Sequence, residues 1–212
     1  KLKFLHADQP SKIKAVLVKV FAGLFYGVEG NNLTSRQVAS VSAAVLDVFR
    51  SRNDVHDADW AYVTLNNNSN RDLDPVTQIL MRRCLQLRRA ICKRPHLQNH
   101  FAKSMRLYAK ASTTGAAWYH DLNTAEGCFP DVQPHPSKGG SDAWKKDVQS
   151  YGPVGLLIQS VMRCGATIDD NFCIRQRHEQ QVDLVNVPYQ YLGILVSEVA
   201  QRARTLASWY NR

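Results

Sequence analysis

Nine lysines and arginines stand in a part of this sequence that holds no acidic residue: Arg82, Arg83, Arg88, Arg89, Lys93, Arg94, Lys103, Arg106 and Lys110, all between Asp74 and Asp121. Cationic groups on neighbouring helical turns neutralise several phosphates together, whatever the base sequence. Arginine adds a planar bidentate fork for phosphate and a flat face for bases. Trp118 and Tyr119 follow directly, and their rings could serve as stacking surfaces, although core packing is the competing use of both. The chain carries 27 basic and 18 acidic residues, a formal net charge of +9. With nine basic residues in the acid-free run, the 18 others match the 18 acids, so the whole excess lies in one segment. The bland alternative is a solvated helix face, or a face that pairs with Asp54, Asp57, Asp59, Asp72 and Asp74 of the same or a second copy.

Other groups with chemical potential are weaker. Cys92, His96 and His100 stand four apart, the spacing that would align metal ligands on one helix, but Pro95 interrupts the helix and no fourth ligand is evident. His56-Asp57-Ala58-Asp59 and His120-Asp121 are histidine–carboxylate pairs. Adjacent side chains usually diverge, whereas acid–base catalysis needs them convergent in a pocket. Ser137-Lys138-Gly139-Gly140 lacks the upstream glycine of a phosphate loop, and His178-Glu179 suits a solvated helix face. No catalytic residue, metal, cofactor or small-molecule substrate is expected, and the protein reads as a non-enzyme.

These residues need helices to position them. Ile13, Val16, Leu17, Val20, Phe21 and Leu24 give a 3.6-residue period that predicts a helix over 11–26. Thr34-Ser35-Arg36-Gln37 matches a capping box before a helix running to about Phe49. Tyr62-Val63-Thr64-Leu65 is compatible with a short strand. Asp74-Pro75 is a helix start, with a carboxylate cap and proline at the first position. In the helix that follows, Leu80, Cys84, Leu87 and Ile91 share one face, with Arg82, Arg89 and Lys93 opposite. Arg94-Pro95 stops it. A second basic helix, from about Leu97 to Ala111, has Leu97, Phe101, Met105 and Tyr108 on one side and Lys103, Arg106 and Lys110 on another. Together the two predict a helical hairpin with an apolar seam and cationic flanks.

Prolines 130, 134 and 136 with Gly139 and Gly140 make Cys128–Asp142 an irregular loop. Trp144 and Val148 suit a short helix behind it. Gly152-Pro153 opens a helix over Val154–Arg163, closed by Gly165. Asp169-Asp170-Asn171 is expected to cap another helix, containing Phe172, Ile174 and Val182. Pro188 begins the last, with Tyr191, Leu195, Val199, Arg202 and Leu206 along its stripe and Leu192, Val196 and Ala203 beside them.

The expected fold is all-α, a multi-helix bundle arranged as an N-terminal lobe over 1–120, an irregular linker or arm over 121–150 and a C-terminal lobe over 151–212. Hydrophobic residues make up 44% and charged residues 21%, values of a globular chain able to build a core without disulfides or a metal. The five cysteines form no CxxC pair and three lie in apolar helical stretches, which suits reduced, buried thiols. No apolar run reaches the roughly 20 residues of a membrane span, and Lys1–Pro10 has no signal core. No membrane association and an intracellular location, cytoplasmic or virion-associated, are expected.

The functional expectation is a nucleic-acid-binding protein of the nucleocapsid or coat type. It would hold single-stranded RNA without sequence preference through the nine basic residues, with Trp118 and Tyr119 as stacking partners, and form a homo-oligomer along the strand. The alternative is a helical scaffold or adaptor whose basic face docks an acidic protein surface. Contact with roughly six phosphates would give a log–log salt slope near −4, about 300-fold in affinity between 50 and 200 mM salt.

Overall fold

The computed structural model describes residues 6–31, 33–49, 58–67, 72–114, 152–164, 166–176 and 181–210. These are mostly helical, with a small three-stranded sheet. The chain divides into two compact units. One comprises Lys1–Glu29, Leu33–Arg82 and Tyr189–Arg212, the other Gly30–Asn32 and Arg83–Pro188. The last helix therefore belongs to the first unit and not with the segment that precedes it. The expected arm at 121–150 lies outside the described residues, as do Gly165 and the segment of Trp144 and Val148.

In the first unit, α1 (Gln9–Ala15) runs through a π-helical turn at Val16–Val20 into α2 (Phe21–Leu24). The predicted single helix is thus locally widened. Widening shifts the register by about one residue, and Ile13, Val16, Phe21 and Phe25 all reach the core while Val18 and Leu24 face outward. The Phe21 and Phe25 rings stack at a tilt, 4.9 Å between centroids. The capping box forms as expected at α3 (Ser35–Phe49): Gln37 N donates to Thr34 Oγ1 at 3.2 Å and Thr34 N to Gln37 Oε1 at 2.9 Å. Tyr62 lies in a helix, α4 (Ala58–Asn67), not in a strand. Its ring is fully buried and its hydroxyl donates to Ser42 O at 3.0 Å, so the buried polar tip is satisfied on α3. The last helix, α8 (Tyr189–Tyr210), packs on α4. It buries Val199 of the expected stripe, Leu192 and Val196 expected beside it, and Ala200, while Tyr191 and Ile194 are exposed. Ser197 Oγ donates to Asp72 Oδ2 at 2.8 Å.

The second unit departs from the all-α expectation. It holds three antiparallel strands, β1 (Ala166–Ile168), β2 (Cys173–Gln176) and β3 (Val182–Asp183), side by side in chain order. Thr167 pairs with Arg175 and Ile174 with Val182. Asp169-Asp170-Asn171 was expected to cap a helix and instead makes the β1–β2 turn. Asp169 Oδ1 accepts the N–H groups of Asn171 and Cys173, and Phe172 N donates to Asp169 O at 3.0 Å. The same short carboxylate serves a helix start and a tight turn, and β-branched Thr167, Ile168 and Ile174 tip the balance to strand. The α7 helix (Gly152–Arg163) buries Leu156, Leu157, Ile158 and Val161 and contacts β1. No helix among the described residues is long and apolar enough to cross a membrane.

Candidate nucleic-acid interface

The basic run is carried by α5 (Pro75–Lys93), a 3-10 turn at Pro95–Leu97 and α6 (Gln98–Thr114). Asp74 caps α5: Oδ1 accepts Val76 N at 2.9 Å and Oδ2 accepts the Thr77 hydroxyl at 2.9 Å. Leu80, Cys84, Leu87 and Ile91 are buried along one face, as their spacing requires. The helix stops because Pro95 cannot donate an N–H and pushes Arg94 out of helical geometry, to φ −139° and ψ 74°. Arg94 O then accepts Leu97 N at 3.0 Å, closing the corner into α6. The α6 helix packs on α7 and on the 3-10 turn.

The nine cations divide by burial. Arg83 is buried, only 4% exposed, and its guanidinium donates to Leu156 O at 2.9 Å, to Ser160 Oγ and to Asn31 O at 3.1 Å. It joins α5 to α7 and the 30–32 segment, so it is spent inside the fold and leaves the proposed phosphate-contacting set. Arg88 is partly buried and donates to Val187 O. In the first unit, Arg82 is partly buried and donates to Phe21 O at 3.4 Å. At 100° per residue, Arg83 and Arg88 flank the buried stripe of α5, and this was the signal in the sequence that marked them as structural.

The remaining cations gather at the corner. Arg89, Lys93 and Arg94 are exposed, followed by exposed His96, Gln98, Asn99 and His100, and then Lys103, which is partly buried. Among the described residues no hydrogen bond or ion pair engages the side chains of Lys93, Arg94 or Lys103. Arg89 and Lys93 stand four apart on one helical face, where like charges repel by a few tenths of a kcal/mol. The α5 C-terminus offsets part of this for Lys93 through its dipole. Arg106 is exposed and its Nε lies 3.1 Å from Asp170 Oδ2. The Lys110 side chain, Trp118 and Tyr119 lie outside the described residues, so the stacking role remains an expectation.

Cys92 lies in the last turn of α5, His96 in the 3-10 turn and His100 in α6, and among the described residues no three metal-ligating groups cluster. Burial, with a smaller contribution from nearby Cys164, pushes the Cys84 thiol far up, which keeps it protonated and makes it a packing group. His56, Asp57, His120, Asp121, Ser137, Lys138, Gly139, Gly140, His178 and Glu179 lie outside the described residues, as does the side chain of Asp59. Two site residues escaped the sequence reading: Arg175 on β2, exposed and 2.7 Å from Asp169 Oδ2, and Asp170 itself. Both were hidden because the 169–176 segment read as helix. No protein-family model, curated protein or solved structure matches the chain.

Proposed function

We propose that the chain binds nucleic acid, single-stranded RNA foremost, through the α5–α6 corner, in the manner of a nucleocapsid or coat protein. The observation that supports this is the single-signed corner of exposed Arg89, Lys93 and Arg94 with partly buried Lys103, in a run with no carboxylate between Asp74 and Asp121. Exposed lysine and arginine on adjacent turns follow a phosphate backbone without reading bases. The burial of Arg83 and the internal bonds of Arg82 and Arg88 reduce the expected contacts from roughly six phosphates to about four.

Four contacts on a single strand give a log–log salt slope near −3, about 50-fold in affinity between 50 and 200 mM salt. Anisotropy of a labelled oligouridine measures it. The double variant Lys93→Gln, Arg94→Gln should flatten the slope to about −1.4 and keep the unfolding midpoint. Binding that the double variant leaves unchanged removes the corner from the interface. A flat salt response, with capture of an acidic protein surface instead, favours the adaptor reading.

A further inference from the structure

The β1–β2 turn carries two carboxylates in succession, and each holds an arginine. Asp169 Oδ2 lies 2.7 Å from Arg175 Nη2, and Asp170 Oδ2 lies 3.1 Å from Arg106 Nε. Asp169 also ties the turn, since its Oδ1 accepts Asn171 N at 3.0 Å and Cys173 N at 2.9 Å. Asp170 contributes nothing of that kind, and among the described residues its carboxylate meets Arg106 alone. That pair sits in solvent, with the arginine side chain 65% exposed and the aspartate 38%. An ion pair in that setting is weak and exchanges readily for another anion.

We propose that Arg175 is a further phosphate-binding residue, extending the cationic run from Arg106 of α6 onto the β-hairpin, and that Asp170 is the anion a phosphate displaces from Arg106. The inference rests on the nucleic-acid reading above and specifies how that site is completed. Consecutive Cα atoms are about 3.8 Å apart, and the two arginines are held by consecutive carboxylates of one turn. Arg175 lies outside the acid-free run, on the exposed strand position opposite Thr167. Arg106 is the outermost cation of α6 whose side chain is described. A phosphodiester oxygen offers each guanidinium a charge-assisted bond. Asp170 then acts as an internal competitor that lowers affinity without closing the site.

The test is oligouridine binding by the full chain at about 0.1 M salt, where one contact on a single strand is worth roughly fivefold. Asp170→Asn keeps the side-chain shape and should bind up to about fivefold tighter. Arg175→Gln and Arg106→Gln should each bind about fivefold more weakly, and Arg106→Gln should cancel the gain of Asp170→Asn. Glu198→Gln on α8 makes the same change in net charge and should leave affinity unaltered. An equal gain from Glu198→Gln overturns the inference, because bulk charge then explains it. If Lys93→Gln with Arg94→Gln weakens binding while Asp170→Asn and Arg175→Gln match the unmodified chain, this inference fails and the corner stands. If the unmodified chain shows no salt-dependent binding, the nucleic-acid reading fails and takes the inference with it.

Discussion

Arg83 and Lys93 lie in the same helix and serve opposite ends. Arg83 is ringed by Leu156 O, Ser160 Oγ and Asn31 O, and Lys93 stands in water. Replacing Arg83 by methionine leaves two carbonyls short of a charged donor, although Ser160 Oγ still donates to Leu156 O at 3.0 Å. The expected cost is about 3 kcal/mol in urea unfolding, with Lys93→Met within about 0.5 kcal/mol of the parent. A similar loss from both would mean that burial does not separate the two roles. Asp183 adds a pH dependence. Burial pushes its carboxyl up, but hydrogen bonds from Asn186 and Val185 and the charge of Arg88 outweigh it, and the net direction is down. A depressed carboxyl contributes stability in full above its unfolded value, near 3.9, and loses it as pH falls through the lower folded value. Asp183→Asn should therefore flatten the acid limb of stability below about pH 4, measured as the urea midpoint against pH.

At the scale of the element, the β1–β2 hairpin turns on Phe172, whose φ of 61° lies in the left-handed region while its ring is 1% exposed. Glycine there would relieve about 1 kcal/mol of backbone strain but forfeit a buried ring worth about 3–5 kcal/mol. Phe172→Gly should thus destabilise by roughly 2–4 kcal/mol, and a stabilised variant in thermal unfolding would show that the ring contributes little. This turn also marks where the sequence stopped being legible. Helices α3, α5, α7 and α8 were readable because Thr34, Asp74, Pro153 and Pro188 announce their starts and their apolar residues recur at 3.6. The strands are three or four residues long at most, and Cys173 and Ile174 are both buried, so the alternation that identifies a strand is absent. The candidate site was legible as a run of charge. Which cations stay outside depends on what packs beside α5, and Leu156 and Asn31 are far away in sequence.

For the molecule as a whole, the proposed interface links stability to the polyanion and the polyanion to salt. Oligouridine at a hundredfold its Kd should raise unfolding free energy by about 2.7 kcal/mol at low salt, and the gain should fade as salt weakens binding. A salt-independent gain in the urea midpoint would point to contacts other than ionic ones. The exposed arginines and lysines of the α5–α6 corner have a geometric consequence as well. A twofold contact between copies must be its own complement, and a patch of one sign is not: it would set ammonium against guanidinium at the axis. The corner therefore excludes a closed pair built on this patch and leaves any contact between copies to other surfaces.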